Sequence, residues 1–553
     1  MNLNPPKRPV SKQPGAAHDD ILQLQKMMKA GAFVQAEAPA RKAAKKYPRV
    51  AIVQMMLGIS LAEQDKSDEA LKQFHKVARL EPNNADVWRN IGMLEQRAKN
   101  YGEAEKALKK AIAINPNFGE AYTTIGGIYD SLGAQQKALD AYYKAVELLP
   151  KAPAAHNNLL AQLEITNDSA ALEAGLEQAR KHIPGNAIVT YFEGVLAQRS
   201  GDMAAARKYL EAVRFDLPPF RNRSIEVSRC AHLGRICDKL GDYPAAFGYF
   251  GKCKAILAKR SLALGYETEP YFKTISRTLG YVEARQFDDW VPYDLPDDVA
   301  PVFLIGFPRS GTTLLDTILR SHPEIEVVEE GPAMRDMLRA LGEVNENRDE
   351  GLKNMTAKQA AKLRAVYLQT LNAGVTGNGK IIIDKLPLNI LHVPVICRVF
   401  PNARFILTLR HPADSVLSNY MQAFDQNQAM AVMNKLSTAA QFYDLAMRIW
   451  VATLPLIGEN FVESRYEDLV DDMQTTLTPV LKLLGLDWDE NMENYRQTAL
   501  ERGRIRTPSY NQVVKPLYKD AQQRWKHYAK PMAGILPLLE PWAIRFGYGK
   551  LND

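Results

Sequence analysis

Residues 302–321 read VFLIGFPRSGTTLLDTILRS, and this stretch decides the fold of the second half of the chain. Val302–Gly306 is a short apolar run of the kind a buried strand needs. The loop Gly306-Phe-Pro-Arg-Ser-Gly-Thr-Thr313 follows, and Leu314–Ser321 continues with helical character. In a strand–glycine loop–helix unit, backbone N–H groups and a helix N-terminus can cradle a phosphate. The spacing of Gly306 and Gly311 matches the G-x-x-x-x-G of a nucleotide-binding loop. Thr312, however, stands where the triphosphate-binding version requires a Lys that reaches the β and γ phosphates, which argues against an ATPase or kinase. Arg309 is the loop's single cation, with Ser310, Thr312 and Thr313 adding hydroxyl donors. That set suits an end group with less charge than a triphosphate. The expected fold is an α/β P-loop-like domain with a central parallel sheet.

Three segments downstream repeat the pattern of a strand ending in a charged residue. Ala403–Leu409 (ARFILTL) is a strand ending at Arg410, and His411-Pro-Ala-Asp-Ser-Val-Leu-Ser418 opens the next helix. An Arg fork and a Ser near a helix start can converge on one phosphate. Lys380–Asn389 (KIIIDKLPLN) is a buried strand with Asp384 and Lys385 at its carboxyl edge. Ligands of open α/β sheets bind beyond the carboxyl ends of strands, which places Lys385 at the mouth of the same site. Ile325–Val328 reads as a short strand that delivers Glu329 and Glu330 to that edge.

The wording PRSGTTLL (residues 308–315) resembles the 5′-phosphosulfate loop of the sulfotransferase family, and the segment from Arg309 to Glu330 is most similar to the tyrosylprotein sulfotransferases, which share RSGTTL, then HPE, then a double Glu. The resemblance implies a donor, 3′-phosphoadenosine 5′-phosphosulfate (PAPS), as co-substrate, with no metal. It implies that Arg309, Ser310, Gly311, Thr312 and Thr313 hold the 5′-phosphosulfate, and that Arg410 and Ser418 hold the 3′-phosphate. Lys385 would contact the oxygen bridging phosphate and sulfate, and Glu330 would be the general base, with Glu329 and His322 next in line. Tyr466, after the strand in FVESRYED, falls where relatives place a nucleotide-contacting Tyr. Thr507–Pro516 resembles the loop that closes over the donor, with Lys515 a phosphate contact and Ser509 a weaker candidate. Pro332 departs from the pattern, since the tyrosylprotein enzymes keep there an Arg that helps hold the acceptor peptide. The acceptor is therefore open among tyrosine in a peptide or protein, a saccharide, a lipid-linked glycan and a small molecule.

The first half is a repeat. Prolines recur at 48, 82, 116, 150, 184 and 218, a period of 34 residues. Gly58, Gly92, Gly126 and Gly194 keep the same period with Leu160 in the gap, and Ala36, Ala70, Ala104, Ala138 and Ala206 form a third series. Small residues belong where two helices cross closely, and proline marks the stop after the second helix. Segments such as Asp86–Arg97 and Tyr101–Asn115 carry apolar residues at helical spacing. The array resembles the tetratricopeptide repeat. A further unit follows with six extra residues, Gly234 and Ala246 lying 40 beyond Gly194 and Ala206. Such solenoids curve, and the concave face is expected to hold a peptide or protein.

The domain organisation read from these signals is a disordered lead-in (1–16), a helical array (17–285), a linker (286–300) marked by WVPYDLPDDVAP at residues 290–301, and the α/β domain (301–553). Length, at 553 residues, requires more than one core. No apolar run is long enough to span a membrane, and Met1–Asp20 lacks the apolar core of a signal peptide. Four scattered cysteines give no disulfide framework, which fits a cytoplasmic setting. A formal charge of +7 is too diffuse to argue for nucleic acid. The oligomeric state, a dimer included, is left open. Two rival readings are a P-loop kinase, for which Asp384 is the one Mg²⁺ ligand in view, and a non-catalytic repeat scaffold.

Overall fold

Small residues repeated every 34 positions allow one helix of a pair to lie hard against its partner. The computed structural model describes residues 17–166, 168–213, 225–295, 301–344, 348–375, 381–501 and 522–551. Between His18 and Ala212 it shows twelve helices in six packed pairs. A Cβ built on Gly58 would lie 2.6 Å from the Phe74 ring, and one on Gly126 would lie 2.6 Å from Tyr142. Gly92 and Gly194 face Leu108 and Leu210 at the same 2.6 Å. The fifth pair inverts the arrangement: Leu160 replaces the first-helix glycine, and Gly175 on the second helix makes the room, its own Cβ position 3.2 Å from Leu160. Second helices end at Lys46, Leu80, Ile114, Leu148 and His182, two residues before the periodic prolines. Pro218 lies outside the described residues.

The chain divides into two compact units, residues 1–225 and 226–553. Helices Ile225–Lys239, Tyr243–Ala263 and Thr268–Glu283, expected within the array, fall almost wholly in the second unit. The first two keep the repeat-like crossing, with Gly234 facing the Phe250 ring at 2.6 Å. Ile275, Leu279 and Val282 of the third share one apolar core with Phe303, Tyr443 and Trp450. Trp290 and Tyr293, in the stretch read as a linker, flank the Arg398 guanidinium at 5.1 and 4.3 Å.

The second unit is built on five strands: β1 (Val302–Gly306), β2 (Ile325–Glu329), β3 (Ile381–Lys385), β4 (Arg404–Leu409) and β5 (Phe461–Arg465). All neighbours pair in parallel, in the order β2-β3-β1-β4-β5. Helices cover both faces, as parallel sheets require. Phe303 and Ile305 of β1 enter one core, while Val302 and Leu304 enter a second with Ile318, Ile383 and Ile406. Because β1 lies between β3 and β4, the chain leaves it towards one side and returns on the other. Such a switch point opens a crevice at the carboxyl ends of the strands.

Candidate active site

Each of the five strands ends in a residue singled out from the sequence, or one residue short of it. β1 runs into the glycine loop, β2 into Glu329 and Glu330, β3 into Lys385, β4 into Arg410 and β5 into Tyr466. Parallel pairing brings these ends to a single edge of the sheet.

The loop is shaped by close approach. Gly306 pairs across the sheet with Thr408, and a Cβ on Gly306 would sit 2.5 Å from the Thr408 hydroxyl. That hydroxyl shares a 2.7 Å hydrogen bond with Ser310. Gly311 (φ 99°) is the N-cap of the helix Thr312–Leu319, and a side chain there would meet Tyr466 at 2.8 Å. Neither this helix nor Pro412–Met421 has a side-chain cap at its start. Their first N–H groups are the kind of donor array that anions use.

Two of the motifs meet at Arg309. Its Nε donates to the Ser418 hydroxyl at 3.3 Å, and Arg410 donates to the Arg309 carbonyl at 3.2 Å. Asn419 adds a 2.6 Å bond to the Pro308 carbonyl, so the helix carrying Ser418 grips the loop twice. The Arg410 guanidinium stands 5.3 Å from the Tyr466 ring.

On the other side of β1, Lys385 has a fully buried side chain and two acidic partners. Its Nζ lies 2.8 Å from Glu329 and 3.3 Å from Glu330. The shorter bond follows from register, because Glu329 and Lys385 are paired across β2 and β3. Burial alone would lower the lysine pKa, but the charges of Asp316, Glu329 and Glu330 outweigh it and the net shift is upward. Glu330 is the more exposed carboxylate, its side chain 40% accessible against 10% for Glu329. It prolongs the ladder by donating its N–H to the Lys385 carbonyl at 2.8 Å. Arg309 (φ 68°) and Glu330 (φ 50°) both sit in the left-handed region, which costs a non-glycine residue about 1–2 kcal/mol. Strain of this kind gathers where a side chain must be aimed.

Other candidates are placed elsewhere. His322 is used locally, its Nδ1 accepting from the Glu324 N–H at 3.1 Å and its Nε2 lying 3.2 Å from the Asp487 carbonyl. Asp384 is buried and bonded to the Tyr367 hydroxyl at 2.5 Å and to Asn389 at 3.2 Å. Burial raises its pKa to about 6, with those bonds working the other way. These contacts make it a support beneath Lys385. Lys515 and Ser509 lie outside the described residues.

Sequence reading missed Thr408, Asn419 and Asp414. Asp414 accepts from the backbone N–H groups of Gln523 and Trp525, both at 2.8 Å. Trp525 in turn stacks on His411, with ring centres 5.4 Å apart. Burial chiefly, and then the nearby Arg410 charge, lower the His411 pKa to about 4. The signal for Asn419 was its place beside Ser418. Asp414 carried none, because its partners are main-chain groups more than a hundred residues away.

A central parallel sheet, a glycine loop leading into a helix and cations at the adjoining strand ends define a P-loop-like α/β domain. Residues 301–490 match the sulfotransferase family, and residues 55–118 and 90–153 match the tetratricopeptide repeat. The chain therefore carries a stretch that matches the tetratricopeptide repeat followed by one that matches the sulfotransferase family. An uncharacterised protein of Aquifex aeolicus is 23% identical over 546 residues, 95% of this chain and 69% of its own length. Protein-tyrosine sulfotransferase 2 of Gallus gallus is 26% identical over 284 residues, 47% of this chain and 74% of its own. Protein-tyrosine sulfotransferase A of Caenorhabditis elegans is 24% identical over 275 residues, covering 46% and 70%. Among solved structures, a tetratricopeptide repeat protein from Parabacteroides merdae covers 44% of this chain and 93% of its own at 19% identity and a TM-score of 0.36.

Proposed function

We propose that the α/β domain transfers a sulfuryl group from PAPS to an acceptor hydroxyl, with tyrosine of a peptide or protein the first acceptor to test. The observation that carries this reading is the convergence of Arg309, Lys385, Glu330 and Arg410 on one sheet edge, beside two helix starts without side-chain caps. Those helix starts, and a loop too tight at Gly311 for any Cβ, fit an anionic ligand with two separated phosphate-sized ends. The donor supplies the activated sulfuryl group and a phosphate leaving group.

In this proposal Arg309, Ser310, Gly311, Thr312 and Thr313 bind the 5′ end, Arg410 and Ser418 the 3′-phosphate, and Tyr466 lies beside them. Lys515 completes the set as a further phosphate contact. Glu330, the accessible carboxylate, takes the acceptor proton. Lys385 places a buried positive charge where negative charge develops on the leaving oxygen, and preorganised charge of this kind needs no rearrangement during reaction. Glu329 holds that ammonium in place. The repeat array recruits acceptor or partner, and a cytoplasmic setting belongs to the same proposal. Among the described residues no helix is long and apolar enough to cross a membrane.

The test combines calorimetry with one substitution. The desulfated product, 3′-phosphoadenosine 5′-phosphate, should bind tightly, and Mg-ATP should not; the opposite preference rejects the reading. Glu330→Gln should keep product binding and lose about 10²–10⁴-fold in transfer. A loss under tenfold would move the role of base to Glu329.

A further inference from the structure

The helix Tyr243–Ala263 buries a lysine that the proposed chemistry does not use. Lys254 is 2% exposed, and its Nζ donates to two backbone carbonyls, Gln422 at 2.8 Å and Asn419 at 3.3 Å. Both carbonyls belong to the carboxyl end of the helix Pro412–Met421. Such an end carries orphan acceptors and partial negative charge, so an ammonium there meets both needs. The rings of Tyr420 and Phe424 flank the same ammonium at 5.9 and 5.6 Å. Burial pulls the Lys254 pKa down to about 7, which shows that the position is costly for a cation.

That helix is the one that holds the glycine loop. Ser418 accepts from Arg309 and Asn419 donates to the Pro308 carbonyl; Asn419 carries one of the two carbonyls that Lys254 grips, and Ser418 is the residue before it. The repeat-like pair reaches the site by a second route. Asp238, at the end of Ile225–Lys239, accepts from Arg524 at 3.1 Å and from the Tyr528 hydroxyl at 2.5 Å. Tyr243 stacks on His527 at 4.3 Å. Asp414 closes the circuit by binding Gln523 and Trp525. The helical pair, the Ser418 helix and the segment 523–528 thus each hold the other two.

We propose that Lys254 is a positioning residue of the donor site, acting through the Ser418–Asn419 end of its helix, and that the repeat-like pair 225–263 is a working part of the donor pocket. The proposal rests on the sulfotransferase reading above, since it concerns that same pocket. A residue that sets the loop's shape should affect the donor and leave the acceptor alone.

The experiment uses the full chain carrying Lys254→Met, which keeps most of the side-chain volume and removes the charge and its hydrogen bonds. Binding of 3′-phosphoadenosine 5′-phosphate is measured by calorimetry, and Michaelis constants for donor and acceptor by transfer assay. Product affinity should fall, and donor KM rise, about tenfold or more, the loss expected for charge-assisted bonds. Acceptor KM should not change. Lys254→Gln, which retains amide donors for the carbonyls, should recover part of the loss. A folded Lys254→Met protein with unchanged nucleotide affinity overturns the proposal, as does an equal rise in both Michaelis constants. If neither variant folds, Lys254 serves stability alone and the proposal fails. Absence of nucleotide binding by the parent chain would instead reject the sulfotransferase reading itself.

Discussion

Arg410 shows how much a single position can reveal before and after its neighbours are known. In sequence it was an Arg at the end of a strand, eight residues before a Ser. In the fold both residues reach Arg309, and the Tyr466 ring lies beside the guanidinium. Arg410→Ala should weaken 3′-phosphoadenosine 5′-phosphate roughly 10–100-fold, through loss of a charge-assisted fork. Adenosine 5′-phosphosulfate lacks the 3′-phosphate and should be bound about equally by mutant and parent; a matching loss for both ligands would make Arg410 structural. Positions that follow strand ends were legible because strand, turn and helix are local patterns. The roles of Glu329 and His322 were not. Glu329 owes its 2.8 Å bond to the register of two strands separated by more than fifty residues, and His322 is occupied by a turn and by the Asp487 carbonyl.

At the scale of elements, the helical pairs were readable because their constraint is periodic and steric. Helices expected at Asp86–Arg97 and Tyr101–Asn115 occur as Ala85–Arg97 and Tyr101–Ile114. Gly126→Leu would drive carbon into the Tyr142 ring, since even a Cβ lies 2.6 Å from it. Overpacking of this type should lower stability by about 1–3 kcal/mol in urea unfolding, and Tyr142→Ala in the same chain should return part of it. An unchanged midpoint for Gly126→Leu would mean that the pair can open at little cost. What periodicity left unreadable was where the repeat stops serving an array. Gly234 and Phe250 obey the same crossing rule, yet the apolar residues of the neighbouring helix Thr268–Glu283 join the core beneath the sheet.

For the whole molecule, the division at 225/226 specifies where the chain can be cut. A fragment of residues 226–553 should fold, judged by circular dichroism, and bind 3′-phosphoadenosine 5′-phosphate like the full chain. One starting at residue 288 lacks Asp238 and Lys254 and should lose at least about tenfold in affinity. Equal binding by the shorter fragment would show that the three helices before it are dispensable. If the array recruits the acceptor, the 226–553 fragment should also fail to sulfate the natural acceptor, because a solenoid face raises local concentration without touching the reacting hydroxyl.

The inverted fifth pair has a consequence for how such a chain can be rearranged. Room for the crossing comes from the first helix at Gly58, Gly92, Gly126 and Gly194, but from the second helix at Gly175. Recombination that joins a first helix from one repeat to a second helix from another would therefore sometimes set two bulky residues face to face, as Leu160 would meet Phe74. Exchange of whole hairpins avoids this outcome. The hairpin, not the helix, is thus the smallest module that duplication and shuffling can copy without repair, and a library built from these repeats should place its junctions at the periodic prolines.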